Sequence, residues 1–206
     1  MRAAYAAAVE RLERDREALR KLEASRPLEV DIAMQQARSR IRFVDQLAAS
    51  RDQGTLFRDE GMADNLDFLL GTMYPGRKVV VWAHNFHVAR EPSGHWQRAM
   101  GSWVAERRGA EVYTIGLYMG RGVGTLNNRT RYEIVAPESD TLEAVMASAG
   151  WRASFFDLSD PRTPADSWRR MPLRARDWGN RPGTLTPAQT YDGVIYIDTA
   201  TPPEYL

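Results

Sequence analysis

The chain has 206 residues, of which 43% are hydrophobic, 27% charged and 10% aromatic, and this composition is typical of one globular domain. It excludes disordered, collagenous and membrane-spanning chains, and the near-cancellation of 28 basic and 27 acidic side chains predicts neither nucleic acid nor a membrane as a partner. The chain contains no cysteine, which excludes thiolate chemistry and disulfides, and we expect a cytoplasmic protein.

Three helices are predicted in the first part of the chain. Apolar residues recur at helical spacing over residues 5–24 and again over residues 33–47. These two segments predict a helical hairpin within residues 1–50. A third helix is predicted from about residue 58 to residue 73, where Tyr-Pro-Gly ends it.

A continuous run of β-branched residues follows the third helix. The run, Lys78–Ala83, shows no alternation and predicts a central parallel strand that is covered on both faces. A helix that ends at Gly109 and a strand over Val112–Tyr118 complete a predicted β-α-β crossover. The glycines of Gly120–Gly124 lack the Walker lysine and the dinucleotide spacing, so we interpret them as a tight loop where backbones approach closely.

The rest of the chain continues the alternation of strands and helices. Three further strands are predicted, at residues 132–135, 153–158 and 194–197. Asp140 and Glu143 form a predicted capping box for a helix that Gly150 ends. Residues 160–187 have no clear period and predict a long loop or lid. The predicted fold is therefore α/β, with a mostly parallel sheet flanked by helices over residues 51–206, joined to the N-terminal hairpin in one domain.

All three histidines lie within residues 84–95, and the first two directly follow the predicted central strand. Ligands of open α/β sheets bind outside the carboxyl ends of the strands, so His84 and His87 are the candidate catalytic residues. Imidazole acts as acid or base near neutral pH, and Asn85 between the rings can orient one of them or donate to an oxyanion. In the alternative interpretation both rings are structural groups under a loop.

A metal site is a second hypothesis for the same residues. His84 and His87 could share an ion with His95 or Glu91 as third ligand. A zinc site usually requires three positioned ligands, and the pair alone supplies two. We therefore expect no metal and no other cofactor.

Polar side chains also occur near the predicted start of the third helix, at Arg58, Asp59 and Asn65. Asp59 can favour a helix N-terminus through the macrodipole, and Arg58 can simply be solvated, so spacing alone favours a structural interpretation. Six arginines of the predicted loop are interpreted as solvated or paired: Arg162, Arg169, Arg170, Arg174, Arg176 and Arg181.

These segments together resemble the erythromycin esterase family over about residues 55–200. The resemblance rests on these residues in order: Arg58-Asp59 with Met62 and Asn65, Val80–His87 with its Trp-Ala-His-Asn-x-His motif, Met100-Gly101, Ile115-Gly116 and Asp192–Ile197. It implies metal-independent hydrolysis of a small-molecule ester, the macrolide lactone in the antibiotic-resistance enzymes. It also implies that residues beside the catalytic histidines bind or orient the substrate, namely Asn85, Arg58, Asp59 and Asn65.

The implied mechanism uses one of the two histidines as general base. The base activates a water that attacks the ester carbonyl, while the other ring and Asn85 stabilise the developing oxyanion. Two other functions remain open, a catalytically dead small-molecule-binding remnant and a histidine-based metallohydrolase.

Members of this family carry an earlier half with a Gly-Glu-x-x-His motif that completes the active site. This chain has no Gly-Glu dipeptide, so we expect it to correspond to the C-terminal half of such an enzyme. An incomplete sheet would expose apolar edges. The expected partners are therefore another copy of the chain or a separate N-terminal half.

Overall fold

The structure, a computed structural model, describes residues 1–22, 24–92, 98–126 and 128–204. The chain divides into two compact units, residues 1–82 and residues 83–206. The predicted hairpin ends at residue 50, whereas the first unit extends to residue 82. The unit is longer because the third helix packs against the helix before it. None of the helices in the described ranges is long and apolar enough to cross a membrane.

The first unit is helical. Its elements are α1 (Arg2–Arg14), α2 (Arg16–Leu22), α3 (Glu29–Ala48) and α4 (Arg51–Phe68), which continues into a π-helical turn, Leu69–Met73. Helices occur in the three segments where the sequence predicts them, and the first of these predicted helices is divided into α1 and α2 at Asp15.

Helix α4 begins earlier than predicted. Ser50 is its N-cap and accepts a hydrogen bond from the backbone N–H of Gln53 at 3.4 Å. A serine at this position satisfies one of the free N–H groups of the first turn. Arg58 and Asp59 therefore lie two turns inside the helix, and the expectation that they stand at its start is wrong.

The segment Lys78–Ala83 does not form the predicted central strand. Its residues join no strand ladder among the described residues, and Val80 and Trp82 are 90% and 84% exposed. A parallel strand needs neighbours on its edges to satisfy its backbone. The described residues supply no such neighbour to this segment, so its β-branched composition alone did not produce a strand.

The second unit is built on a four-stranded mixed sheet. The strands, in spatial order, are β2 (Arg131–Ile134), β1 (Ile115–Thr125), β6 (Gly193–Ala200) and β3 (Ala153–Asp157). The central pair β1–β6 is parallel, with Leu117 opposite Ile195, while β2 and β3 join antiparallel. The predicted α/β class with parallel core strands is confirmed.

The described residues of this unit also form four short α-helices: α5 (Asn85–Val88), α6 (Met100–Arg108), α7 (Leu142–Ala147) and α8 (Pro187–Thr190). The core joins buried side chains of the sheet, the helices and the segment before β6, among them Tyr118, Leu142, Met146, Tyr191, Val194 and Tyr196. Helix α7 is capped by Thr141, whose hydroxyl accepts from the N–H of Ala144 at 3.3 Å. The predicted Asp140–Glu143 capping box is therefore wrong.

The glycines of Gly120–Gly124 lie inside strand β1 and do not form a loop. Gly122 has a φ of +120°, and a Cβ there would lie 2.1 Å from the carbonyl oxygen of Ala200. Only glycine adopts this conformation without strain. The close backbone approach is confirmed, although the predicted loop is wrong.

The predicted long loop contains a β-hairpin, β4 (Leu173–Asp177) paired antiparallel with β5 (Arg181–Leu185). Its turn uses left-handed backbone conformations at Trp178 and Gly179, with φ of +59° and +74°. The alternation of arginine with smaller apolar residues along β4 was a strand signal that the abundance of arginine and proline obscured. This hairpin forms part of the surroundings of His84.

Candidate functional site

The two candidate histidines lie on one short helical turn. His84 is the N-cap of α5, and its Nδ1 accepts a hydrogen bond from the backbone N–H of Phe86 at 3.3 Å. The backbone N–H of His87 donates in turn to the carbonyl of His84 at 2.9 Å. The sequence placed these residues after a strand, whereas the structure places them around a helical turn.

Asn85 binds this turn to the sheet through two hydrogen bonds. Its Nδ2 donates to the carbonyl of Leu117 at 2.7 Å, and its Oδ1 accepts from the N–H of Leu117 at 2.8 Å. The carboxamide thus takes the place of a neighbouring strand residue beside β1. Asn85 orients the helix that carries the histidines, and its proposed donation to an oxyanion stays a prediction.

Replacing Asn85 by alanine is expected to loosen α5. The change leaves an N–H and a C=O of the half-buried Leu117 without their partner, at a cost of about 1–3 kcal/mol for a group that becomes buried and unsatisfied. We expect the unfolding free energy to fall by about 2 kcal/mol and the amide hydrogen of Leu117 to exchange faster by NMR.

Two variants sharpen this experiment. Asn85→Asp retains the acceptor for the N–H of Leu117 but places a second oxygen against its carbonyl, so it should also destabilise. Asn128→Ala removes a local bond to the N–H of Thr130 in a loop and serves as control. If the amide hydrogen of Leu117 exchanges at the native rate in both Asn85 variants, Asn85 does not hold α5 against β1.

The far end of α5 is anchored by Arg90, which the sequence did not single out. Its backbone N–H donates to the carbonyl of Thr190 at 3.1 Å, and its Nη2 donates to that of Ala188 at 2.9 Å. Its Nη1 pairs with Asp192, whose other oxygen accepts from the N–H of Thr114 at 2.8 Å. Both ends of the short helix are therefore tied to the parallel strands or to the segments that lead into them.

The surroundings of His84 favour the neutral ring. Burial lowers the pKa of His84 below its ordinary value of 6.5, the charges of His87 and Arg181 lower it further, and the carboxylate of Asp177 opposes them. The ring lies beside Trp178, with 5.3 Å between ring centroids and 59° between ring planes. His84 is therefore mostly uncharged at neutral pH.

The ring of His87 is half-buried and packs edge-on against Phe86, with 5.1 Å between the centroids. It lies on the same turn as His84, close enough for its charge to act on that ring. The structure thus brings His84, Asn85 and His87 together.

A buried ionic cluster supports the hairpin beside the histidines. The backbone N–H of Arg176 donates to Glu143 at 2.7 Å, and its guanidinium donates to the carbonyls of Val135 at 2.8 Å and Gly120 at 3.0 Å. Glu143 is fully buried; burial raises its pKa, while the backbone bonds and Arg176 act in the opposite direction. Arg176 therefore connects β4 to β1: it is paired, which was one of the two predicted alternatives, but it lies on a strand and not in a loop.

The other three predicted site residues belong to the first unit. Asn65 accepts hydrogen bonds at its Oδ1 from Gln35 and from Ser39, both at 2.8 Å, and so connects α3 with α4. Asp59 is fully buried, and its carboxylate lies 3.6 Å from the guanidinium of Arg58, which is half-exposed. The histidines belong to the second unit, so the convergence of these three residues with them stays a prediction.

The metal hypothesis concerns residues that the structure describes only in part. His95 lies outside the described residues, and Glu91 is exposed. No group of three histidine, aspartate or glutamate side chains within the described ranges is arranged to hold a metal ion. The expectation that no cofactor is needed stays a prediction.

The fold and the paired histidines define an α/β protein with a candidate acid–base site on a helical turn. A sequence model of the erythromycin esterase family matches residues 1–200, and the chain belongs to that family. The match extends the resemblance, which began near residue 55, over the helical hairpin. YbfO of Bacillus subtilis (strain 168), named as a putative hydrolase, is 31% identical over 162 residues, which are 73% of this chain and 36% of YbfO.

Three solved structures share the fold, each at 16% sequence identity over 97% of this chain. A succinoglycan biosynthesis protein has a TM-score of 0.73 and a protein from Bacillus cereus one of 0.69, with 51% and 53% of those chains covered. A mutant of erythromycin esterase EreC in its open conformation has a TM-score of 0.63, with 52% covered. The chain therefore spans about half the length of these structures.

Proposed function

We propose that the protein is an ester hydrolase in which a histidine activates water to attack the ester carbonyl. The observation that carries this proposal is the pair of imidazole rings on one anchored turn, with one ring held in a defined hydrogen-bonding state. General acid–base catalysis requires such groups to be positioned before the reaction.

The hydrogen bonds support different roles for the two rings. Because Nδ1 of His84 accepts the N–H of Phe86, the proton of the neutral ring resides on Nε2. A ring in this tautomer donates from Nε2 and cannot accept a proton there. We therefore assign His84 to donation toward the developing oxyanion and His87 to the general base, a choice that the sequence alone left open.

Membership of the family supports a proposal for the substrate class. Its name and that of EreC refer to erythromycin, a macrolide, and a macrolide lactone is a cyclic ester. Hydrolysis of an ester by two histidines requires neither a metal nor an organic cofactor, because water is the nucleophile and the rings carry the proton. We propose a macrolide or another small-molecule ester as substrate, and macrolide resistance would follow from its hydrolysis.

The test is hydrolysis of a panel of macrolides and simple esters by the purified chain. Mass spectrometry should detect the gain of one water in at least one compound, in the presence of a chelator as well as without it. The double variant His84→Ala/His87→Ala should give no gain, while Trp151→Ala, which alters a side chain that is 69% exposed, should match the native protein.

Two results would contradict the proposal. Compounds that stabilise the folded protein against heat without gaining water would indicate a binding remnant. Activity that the chelator abolishes and a divalent metal restores would indicate a metallohydrolase instead.

A further inference from the structure

The turn of the β4–β5 hairpin holds a tryptophan in an unusual backbone conformation. Trp178 has a φ of +59°, in the left-handed region that glycine and asparagine adopt readily and bulky residues rarely do. Such strain persists only where the surrounding structure enforces it, and it concentrates at functional sites. The contacts of the indole ring therefore bear on the function of this turn.

Several contacts fix this residue. The hydroxyl of Tyr132 donates to the carbonyl of Trp178 at 2.9 Å, and the guanidinium of Arg181 lies 4.9 Å from the ring centroid. The next residue, Gly179, has a φ of +74°, and a Cβ there would lie 2.8 Å from Ile134. The turn is therefore held on the sheet from both sides of the tryptophan.

The indole ring faces the candidate site. The centroid of the Trp178 ring lies 5.3 Å from that of His84, and the preceding residue, Asp177, is close enough for its carboxylate to act on His84. Arg181 from β5 and His87 from α5 are the other charged or titratable groups that act on this ring. One hairpin turn thus supplies both an aromatic wall and a negative charge beside the histidine.

We propose that the Asp177–Trp178 turn positions His84: the indole ring fixes the plane of the imidazole and excludes water from one side of it, and the carboxylate balances the positive groups nearby. This inference rests on the proposed function, because it concerns the ring assigned to oxyanion stabilisation. Trp178 and Asp177 are positioning residues that act through His84.

The strain itself gives a first test. Trp178→Gly and Trp178→Ala both remove the indole ring, but only glycine adopts the left-handed conformation without strain. Trp178→Gly should therefore be more stable to urea than Trp178→Ala, while both disturb His84 to the same extent. Equal stability of the two variants would contradict the strain at this turn.

The decisive measurement is the titration of the His84 ring by NMR, in the full chain. Loss of the indole in Trp178→Ala admits water, and since burial is the main cause of the lowered pKa, the pKa of His84 should rise toward its ordinary value of 6.5. Trp178→Phe retains an aromatic wall and should keep most of the native value. Asp177→Asn removes a charge that favours the cation and should lower the pKa further.

Two controls separate this effect from general damage. Trp151→Ala removes an exposed tryptophan, and Asp140→Asn removes a carboxylate that pairs with Arg174 on β4. Both should leave the titration of His84 unchanged. A native titration in both Trp178→Ala and Asp177→Asn would overturn the positioning role, whatever the activity of the protein.

The ester assay separates the two proposals. If the His84 titration shifts as expected and kcat falls in Trp178→Ala with KM little changed, both proposals are supported. If the titration shifts but the native protein hydrolyses no ester of the panel, the contact with His84 stands and the proposed function fails.

Discussion

Replacing His87 by glutamine is expected to lower kcat for ester hydrolysis by about 10²–10⁴-fold, the usual contribution of a positioned general base. Glutamine approximates the size of the ring and can form hydrogen bonds, but its amide does not accept a proton near neutral pH. Steady-state kinetics of His87→Gln on any ester that the native protein hydrolyses measure this loss.

His84 should respond differently to substitution, because its two nitrogens have different tasks. His84→Asn places an acceptor near the position of Nδ1 and can retain the cap on the N–H of Phe86, but it has no group at the position of Nε2. We expect a loss of about 10²–10³-fold in kcat, as for removal of one oxyanion donor, with little loss of stability.

The complementary variant, His84→Gln, should lose more stability and less activity than His84→Asn. Its amide can donate near the position of Nε2 but no longer caps the helix, so it should retain more activity than His84→Asn and unfold more readily. Steady-state kinetics and urea unfolding of the three variants check these expectations. A mild effect of His87→Gln together with full loss in His84→Gln would reverse the assigned roles.

The helices of the first unit and the two strands β1 and β6 could be predicted individually because local patterns determine them. Residues 33–47 repeat their apolar positions at helical spacing, and α3 indeed buries Val30, Met34 and Ala37 along one face. The alternating burial at the start of β1 has the same local origin. In such elements the spacing of the apolar residues along the sequence already shows whether the segment is a helix or a strand.

The Lys78–Ala83 segment shows where local patterns fail. Its β-branched residues favour an extended backbone, but a strand is completed only by hydrogen bonds to residues remote in sequence. No described residue pairs with it, and Val80 is 90% exposed. The composition of a segment indicates that it favours an extended backbone. Whether it pairs as a strand depends on residues elsewhere in the chain.

The residues that surround the histidines could not be predicted from the sequence for a related reason. Trp178 and Asp177 lie more than ninety positions after His84 along the chain, and the hairpin that carries them contains a proline and several arginines. The histidines could be selected because imidazole chemistry is a property of the residue itself. Their neighbours could not, because proximity is created by β4–β5 folding back toward α5.

The turn that carries both histidines also depends on one glycine, and its replacement gives a second large expected effect. Gly101 lies in α6, where a Cβ would stand 2.1 Å from the carbonyl oxygen of Val88 and 2.5 Å from that of Ala89. Both atoms belong to the backbone at the end of α5, so no side-chain rotation can relieve the overlap.

We expect Gly101→Ala to lower the free energy of unfolding by about 2–3 kcal/mol, the upper range for overpacking a filled site. Alanine is about 1 kcal/mol better than glycine within a helix, so the overlap must first cancel that gain. Because α5 must shift to admit the methyl group, the orientation of His84 and His87 should change as well, and kcat should fall more than the loss of stability alone would cause.

Gly71→Ala is the matched control, because Gly71 is exposed on the π-helical turn and a methyl group added there would meet no neighbouring atom within 4 Å. Helix propensity should make this variant as stable as the native protein or slightly more stable. Urea unfolding would thus show changes of opposite sign for the same chemical substitution. If Gly101→Ala proves as stable as Gly71→Ala, the close packing of α6 against the end of α5 does not hold the histidines in place, and their orientation must depend on Asn85 and Arg90 instead.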